Sequence, residues 1–231
     1  LTLSLGSGYQ LHDQYPTRED PNETIDLQQF STRNVLSLTP RIVLRTTDSY
    51  VRPTTGTLCE FSADLSKGLN NHLDDLIQYR ADLRYYYTPF TPVTFAVRGK
   101  YGIIQPYGRN SSVPEDQLFF LGGTSSVRGF DENLLRFDAT GDALGGRRFA
   151  LASLEARYAT ESNWELTLFF DTGSIQQTDL PNRSESFRSS VGVGIRYMTP
   201  IGPIGLLYGW KLDPLPSESP GSFHFSMGYT F

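Results

Sequence analysis

The residues best placed to do chemistry gather around one arginine. In the segment Leu121-Gly122-Gly123-Thr124-Ser125-Ser126-Val127-Arg128-Gly129-Phe130 the paired glycines permit tight or left-handed backbone and Phe130 offers an apolar anchor. Arg128 presents a planar fork of donors, the shape that clamps carboxylates. Two carboxylates follow on the next two alternating segments, Glu155 and Asp171. An arginine held between them would pin its segment by charge-assisted hydrogen bonds, with no covalent step. Surface arginines are commoner than clamped ones, so residue type and spacing alone leave both readings open.

These three groups meet only if the segments carrying them share a face. Alternation of apolar and polar residues, not helical spacing, runs through the chain. Ala150, Ala152, Leu154, Ala156 and Tyr158 alternate with Leu151, Ser153, Glu155 and Arg157. Trp164, Leu166, Leu168 and Phe170 alternate with Glu165, Thr167, Phe169 and Asp171. Residues 1–9, 36–44, 59–65, 77–87, 93–103, 190–197, 204–212 and 222–231 repeat the pattern, which predicts about ten strands. Pro40 weakens the second of them in its middle. In the last, Phe223, Phe225, Met227, Tyr229 and Phe231 form the apolar set and His224 falls on the polar face.

The polar face carries charge in mid-strand, at Arg80, Asp82, Arg84, Arg98, Lys100, Glu155, Arg157 and Arg196. The apolar face carries aromatics toward the strand ends, at Tyr9, Tyr85, Tyr87, Tyr101, Tyr158, Trp164, Tyr197 and Trp210. A lipid-facing band with aromatic girdles around a polar interior has this pattern. The fold class predicted is therefore all-β, an antiparallel transmembrane β-barrel of about ten strands. A soluble antiparallel sandwich or barrel is the alternative.

Composition excludes other classes. No run approaches the roughly 18 apolar residues of a spanning helix, so a helical membrane protein is ruled out. Against 25 acidic residues stand 20 basic ones, and the net charge of −5 offers no basic field for a nucleic-acid partner. Cys59 is alone, forms no internal disulfide and reads as a small apolar side chain. The start at Leu1 shows no basic segment followed by an apolar one, so a signal peptide is expected to be absent or already removed.

Connections alternate in length. Short ones lie around 51–54, 88–92, 160–163 and 199–203; longer ones cover roughly 11–33, 67–76, 105–148, 174–187 and 213–221. Short turns at the periplasmic end and long loops outside are the expected asymmetry, and an even strand number puts both chain ends on the periplasmic side. Residues 105–148, which hold Arg128, are too long for a plain connection.

The segment 122–130 resembles the Val-Arg-Gly-Phe loop motif of the BamA-like outer-membrane assembly factors, here Val127, Arg128, Gly129 and Phe130. Further matches follow in the same order: Ala152-Ser153-Leu154-Glu155, then Phe169-Phe170-Asp171-Thr172-Gly173, then Tyr197-Met198-Thr199-Pro200-Ile201-Gly202-Pro203, and the terminal Phe231. Residues 1–117 resemble the family only in the order of strand, turn and loop, with residues 48–56 similar to its Pro-Thr-x-Gly turn. The resemblance implies that Arg128 docks in the lumen on Glu155 and Asp171. It also implies that residues 222–231 are one side of a lateral seam, with Phe223, Phe225, Met227, Tyr229 and Phe231 as its terminal signal. Family members carry periplasmic domains and about sixteen strands. The expectation is thus one barrel domain over 1–231, the C-terminal part of such a barrel without a periplasmic domain.

By the same resemblance the implied activity is assembly and insertion of β-barrel proteins in a bacterial or organellar outer membrane. The implied partners are the lipid bilayer and lipopolysaccharide, unfolded outer-membrane proteins as substrates, and periplasmic chaperones or lipoproteins reached through the missing part. An open strand edge would also allow an edge-to-edge dimer. Two other functions compete. An outer-membrane protease would place Asp and His at the extracellular rim, where His12-Asp13 and His72 with Asp74-Asp75 stand, although no second motif supports them over solvated loop residues. A passive pore would suit a charged lumen, but a docked loop would plug a barrel this narrow. His224 reads as a lumen polar residue and Gly192-x-Gly194 as packing relief within a strand. No catalytic residue, metal or cofactor is expected.

Overall fold

The computed structural model describes residues 1–12, 32–70, 72–109, 112–176, 186–200 and 202–229. Ten strands form one sheet: β1 Thr2–His12, β2 Arg33–Arg45, β3 Gly56–Gly68, β4 Leu76–Phe90, β5 Val93–Pro106, β6 Arg148–Ala159, β7 Trp164–Gln176, β8 Arg188–Thr199, β9 Gly202–Lys211 and β10 Gly221–Met227. Their order in the sheet is their order in the chain, and every neighbouring pair is antiparallel. Among the described residues β1 pairs only with β2 and β10 only with β9, so the sheet is an open wall with two free edges.

Period-two alternation decides which way each side chain points. The eight girdle aromatics all face outward and are 42–62% exposed. On the opposite face Asp82, Arg98, Glu155, Arg157 and Arg196 are buried. Trp164 and Tyr197, directly paired across β7 and β8, meet edge to face with ring centroids 4.9 Å apart. Pro40 does not break β2: it stays paired with Leu5 on β1, and the β2–β3 ladder resumes beyond it in the same register. The missing amide is tolerated because the lapse is confined to one side.

The last strand departs from the expected alternation. It ends at Met227, and Gly228 takes a φ of 85°, a left-handed conformation that glycine adopts without penalty. Phe223, Phe225 and Met227 face outward, 64–71% exposed, but Tyr229 is turned into the lumen, where its ring lies beside Arg157. The reversal at Gly228 removes Tyr229 from the outward apolar set. Phe231 lies outside the described residues.

The core of the molecule sits inside the wall. The connection between β5 and β6, residues 107–147, folds back and packs Phe119, Leu121, Val127, Phe130 and Leu135 against Leu76, Ile104, Phe149, Leu151 and Ile175 of the inner face. Phe119 and Gly146 exchange both backbone hydrogen bonds at 2.9 Å, which closes the base of the loop. Val127 and Phe130 are completely buried. Burying a side chain of this size contributes roughly 1.5–3 kcal/mol, and that holds the loop before any ion pair is counted.

Candidate functional site

The loop carries Arg128 between two of its buried anchors, so the guanidinium is delivered to the inner faces of β6 and β7. Its Nε donates to Oδ2 of Asp171 at 2.7 Å and its Nη2 to Oδ1 at 2.8 Å, a two-pronged clamp; the Arg128 backbone amide adds a third bond at 3.0 Å. Nη1 donates to Oε2 of Glu155 at 2.5 Å. The guanidinium lies 3.8 Å from the centre of the Phe169 ring, which covers one of its faces. Arg128 is 2% exposed, and Glu155 and Asp171 are equally buried.

Glu155 is the shared acceptor of a larger network. Arg157 donates Nε to its Oε1 at 2.7 Å, and Arg196 donates to both of its oxygens, at 2.8 and 3.1 Å. Arg196 also reaches Glu165 at 3.2 Å, directly across β7 and β8. Glu165 accepts in turn from the Tyr229 hydroxyl at 2.7 Å, and Arg157 stacks on the Tyr229 ring at 4.1 Å. Three guanidiniums and three carboxylates thus face one another in the dry interior. Burying a lone charge there would be costly, and mutual pairing is what makes the arrangement tolerable.

Two close backbone approaches let the loop lie this deep. Gly129 has a φ of 94° and rests on Gly209 of β9; a Cβ on Gly209 would come within 2.6 Å of the Gly129 nitrogen. Gly192 on β8 leaves room for the Phe169 ring, since a Cβ there would stand 2.1 Å from Cζ. Phe130 is flanked by cations from the wall, Arg188 at 4.6 Å and Lys211 at 5.2 Å from its ring centre. Arg188 also donates to the Leu135 carbonyl at 2.8 Å and pairs with Glu218 of the β9–β10 loop.

The rim residues take structural partners instead. Asp74 receives Arg33 at 2.9 Å, while Asp75 receives Lys67 at 2.5 Å and the Gly68 amide at 3.1 Å. Burial pushes the Asp75 carboxyl up, but the Lys67 and Gly68 hydrogen bonds outweigh it and hold the group below its ordinary value. His72 rests on Asp75 at 3.3 Å and His12 on Asp116 at 3.3 Å; Asp13 lies outside the described residues. Each carboxylate described here is occupied by a cation or a backbone amide. Among the described residues no cluster of three metal-ligating side chains occurs.

Arg157, Arg196 and Glu165 are legible in the sequence as inward charges, but their convergence on Glu155 is not. The usable signal was cross-strand register, since Glu165 and Arg196 occupy paired positions. His224 and Tyr229 also reach the loop or its network, through Gly129 and Glu165.

An antiparallel wall with an apolar outer face, an ionic inner face and a long loop clamped inside defines part of a transmembrane β-barrel with an occupied lumen. The sequence profile of the Omp85 superfamily domain matches residues 1–231, and the chain belongs to that superfamily. It is 28% identical over 237 aligned positions to outer membrane protein assembly factor BamA of Nitratidesulfovibrio vulgaris, covering 99% of this chain and 30% of that protein. It is 26% identical to the assembly factor BamA of Neisseria meningitidis, covering 80% of this chain and 27% of that protein. The chloroplastic outer envelope protein 80 of Arabidopsis thaliana matches 48% of the chain at 28% identity, with 15% of that protein covered. Among solved structures, BamA from Haemophilus ducreyi lacking POTRA domains 1–3 superposes with a TM-score of 0.75 at 20% identity, covering 98% of this chain and 50% of the other. The chain therefore spans under a third of the length of these curated relatives.

Proposed function

We propose that this chain forms the wall and lumen loop of a factor that folds and inserts β-barrel proteins into an outer membrane, bacterial or organellar, without covalent chemistry. The observation that carries the reading is the Arg128 clamp: a loop fixed within the wall by buried bonds to Glu155 and Asp171, beside a last strand whose outer edge is unpaired among the described residues. Unpaired backbone in hydrocarbon demands a partner, and an incoming extended segment supplies one by strand addition. Val127, Gly129 and Phe130 seat the arginine. Phe223, Phe225 and Met227 give the last strand its lipid-facing side, and Phe231 continues the terminal signal. The relatives named as outer membrane protein assembly factors support this reading.

The substrates are unfolded outer-membrane proteins, met in contact with lipid and lipopolysaccharide. Periplasmic chaperones or lipoproteins are further partners, and nucleic acid is no partner. The free edge of β1 takes a further strand, from the same polypeptide or from a second copy.

The test is refolding of a small urea-unfolded outer-membrane barrel into liposomes that contain this chain, beside empty liposomes. Acceleration that Arg128→Ala abolishes supports the reading. Equal rates in both vesicles overturn it for this chain, and solute leakage that survives Arg128→Ala marks a pore instead.

A further inference from the structure

The loop has a second attachment, independent of Arg128, on the last strand. The Gly129 backbone amide donates to Nε2 of His224 across 2.7 Å, and both residues are buried. Oγ1 of Thr124 lies 3.3 Å from Nδ1 of the same ring. A ring nitrogen accepts only when it carries no proton, so this geometry requires the neutral imidazole with its hydrogen on Nδ1, facing Thr124. Two residues earlier on the strand, Ser222 donates to Oδ1 of Asp131 at 2.5 Å.

We propose that His224 is a positioning residue that couples the clamped loop to the last strand, and that this tie opens when the ring takes up a proton. The proposal rests on the loop being the element that organises the seam. An imidazolium has two N–H donors and no acceptor, so the Gly129 amide would face a like dipole and lose its partner. The charged groups facing the ring are Arg128 and Asp131 of the loop and Asp171 of β7; the paired position on β9 is Leu207. His224 is the member of this set whose ordinary titration falls near neutral pH. The backbone ladder between β9 and β10 does not titrate, so the strand keeps its register while the Gly129 tie opens.

Chain labelled with 15N at glycine and histidine, folded in detergent micelles, reports the tie directly. At pH 7.5 a through-bond coupling between the Gly129 and His224 Nε2 nitrogens is expected, with a protected Gly129 amide. At pH 4.5, well below the ordinary histidine value, the coupling vanishes and protection, corrected for the intrinsic exchange rate, falls about tenfold, the scale of one lost hydrogen bond. His224→Gln, whose side-chain oxygen accepts but does not titrate, keeps the protection at both pH values, and His224→Ala lacks it at both. A pH-dependent loss that persists in His224→Gln overturns the proposal, as does full protection in His224→Ala. If the exchange results hold while no variant alters liposome refolding, the tie stands and the assembly reading is what fails.

Discussion

The hydroxyl of Tyr229 donates to Oε2 of Glu165 across 2.7 Å, and so joins the end of the last strand to the seventh. Glu165 also holds Arg196, which holds Glu155, the acceptor of Arg128. The C-terminal end of the wall and the lumen loop are therefore two branches of one hydrogen-bonded network. A change at either end is felt at Glu155.

Arg128→Ala leaves Asp171 without a charged partner in the dry interior. Breaking one side of a buried pair costs about 3–5 kcal/mol. The folded chain in detergent should lose heat resistance, read as the temperature at which its folded band on a cold gel converts to the unfolded one. Arg128→Lys should recover only part, because a point charge cannot span both Asp171 and Glu155. An unchanged transition in Arg128→Ala would remove the clamp as a source of stability.

Tyr229→Phe keeps the ring over Arg157 and removes one bond to Glu165. A loss of about 1 kcal/mol is expected from urea unfolding in micelles. In a Glu165→Leu background, which offers the hydroxyl no acceptor, the Tyr229→Phe substitution should be close to neutral, because the two changes act on the same bond. Full additivity of the two would mean that the hydroxyl points elsewhere.

Gly192→Ala crowds both the Phe169 ring that covers the Arg128 guanidinium and the Tyr208 carbonyl. Overpacking of this kind costs about 1–3 kcal/mol. The effect should shrink when Phe169 is already Leu, a coupling that a double-mutant cycle in urea would measure. Independent effects would separate Gly192 from the clamp.

Acid should release the β9–β10 loop through Glu218. Burial raises this carboxyl, but the Arg188 bonds and the Leu215 amide outweigh it and leave it below its ordinary value. A depressed folded value means the stabilisation is complete above the unfolded value, near pH 4.3, and is lost as the pH falls through the folded one. Protease cleavage within 212–220 should rise below about pH 4. In Glu218→Gln it should be high and flat with pH.

Much of this was readable from the chain. Period-two alternation places Glu155, Asp171, Arg157 and Arg196 on one face because a strand offers a side chain only two directions. The lumen position of Arg128 needed the family resemblance, since an arginine in a long loop has no periodicity to constrain it. Alternation fails at Tyr229 because one residue with positive φ, Gly228, exchanges the faces, and apolar–polar patterning does not register a backbone reversal. The sharing of Glu155 among three arginines depends on which residues stand opposite one another. Register of that kind is a property of paired strands, invisible in any single strand.

The evenness of the interior network has a further consequence. Three positive and three negative groups, each within hydrogen-bond reach of an opposite, cancel at short range. The part of the wall formed by β6, β7 and β8 therefore projects little long-range potential, although it is dense in charge. On β4 and β5, by contrast, Asp82 is shared by Arg84 and Arg98 while Arg80 and Lys100 add to the positive side, so the inner field that an approaching polypeptide meets comes from that half of the wall.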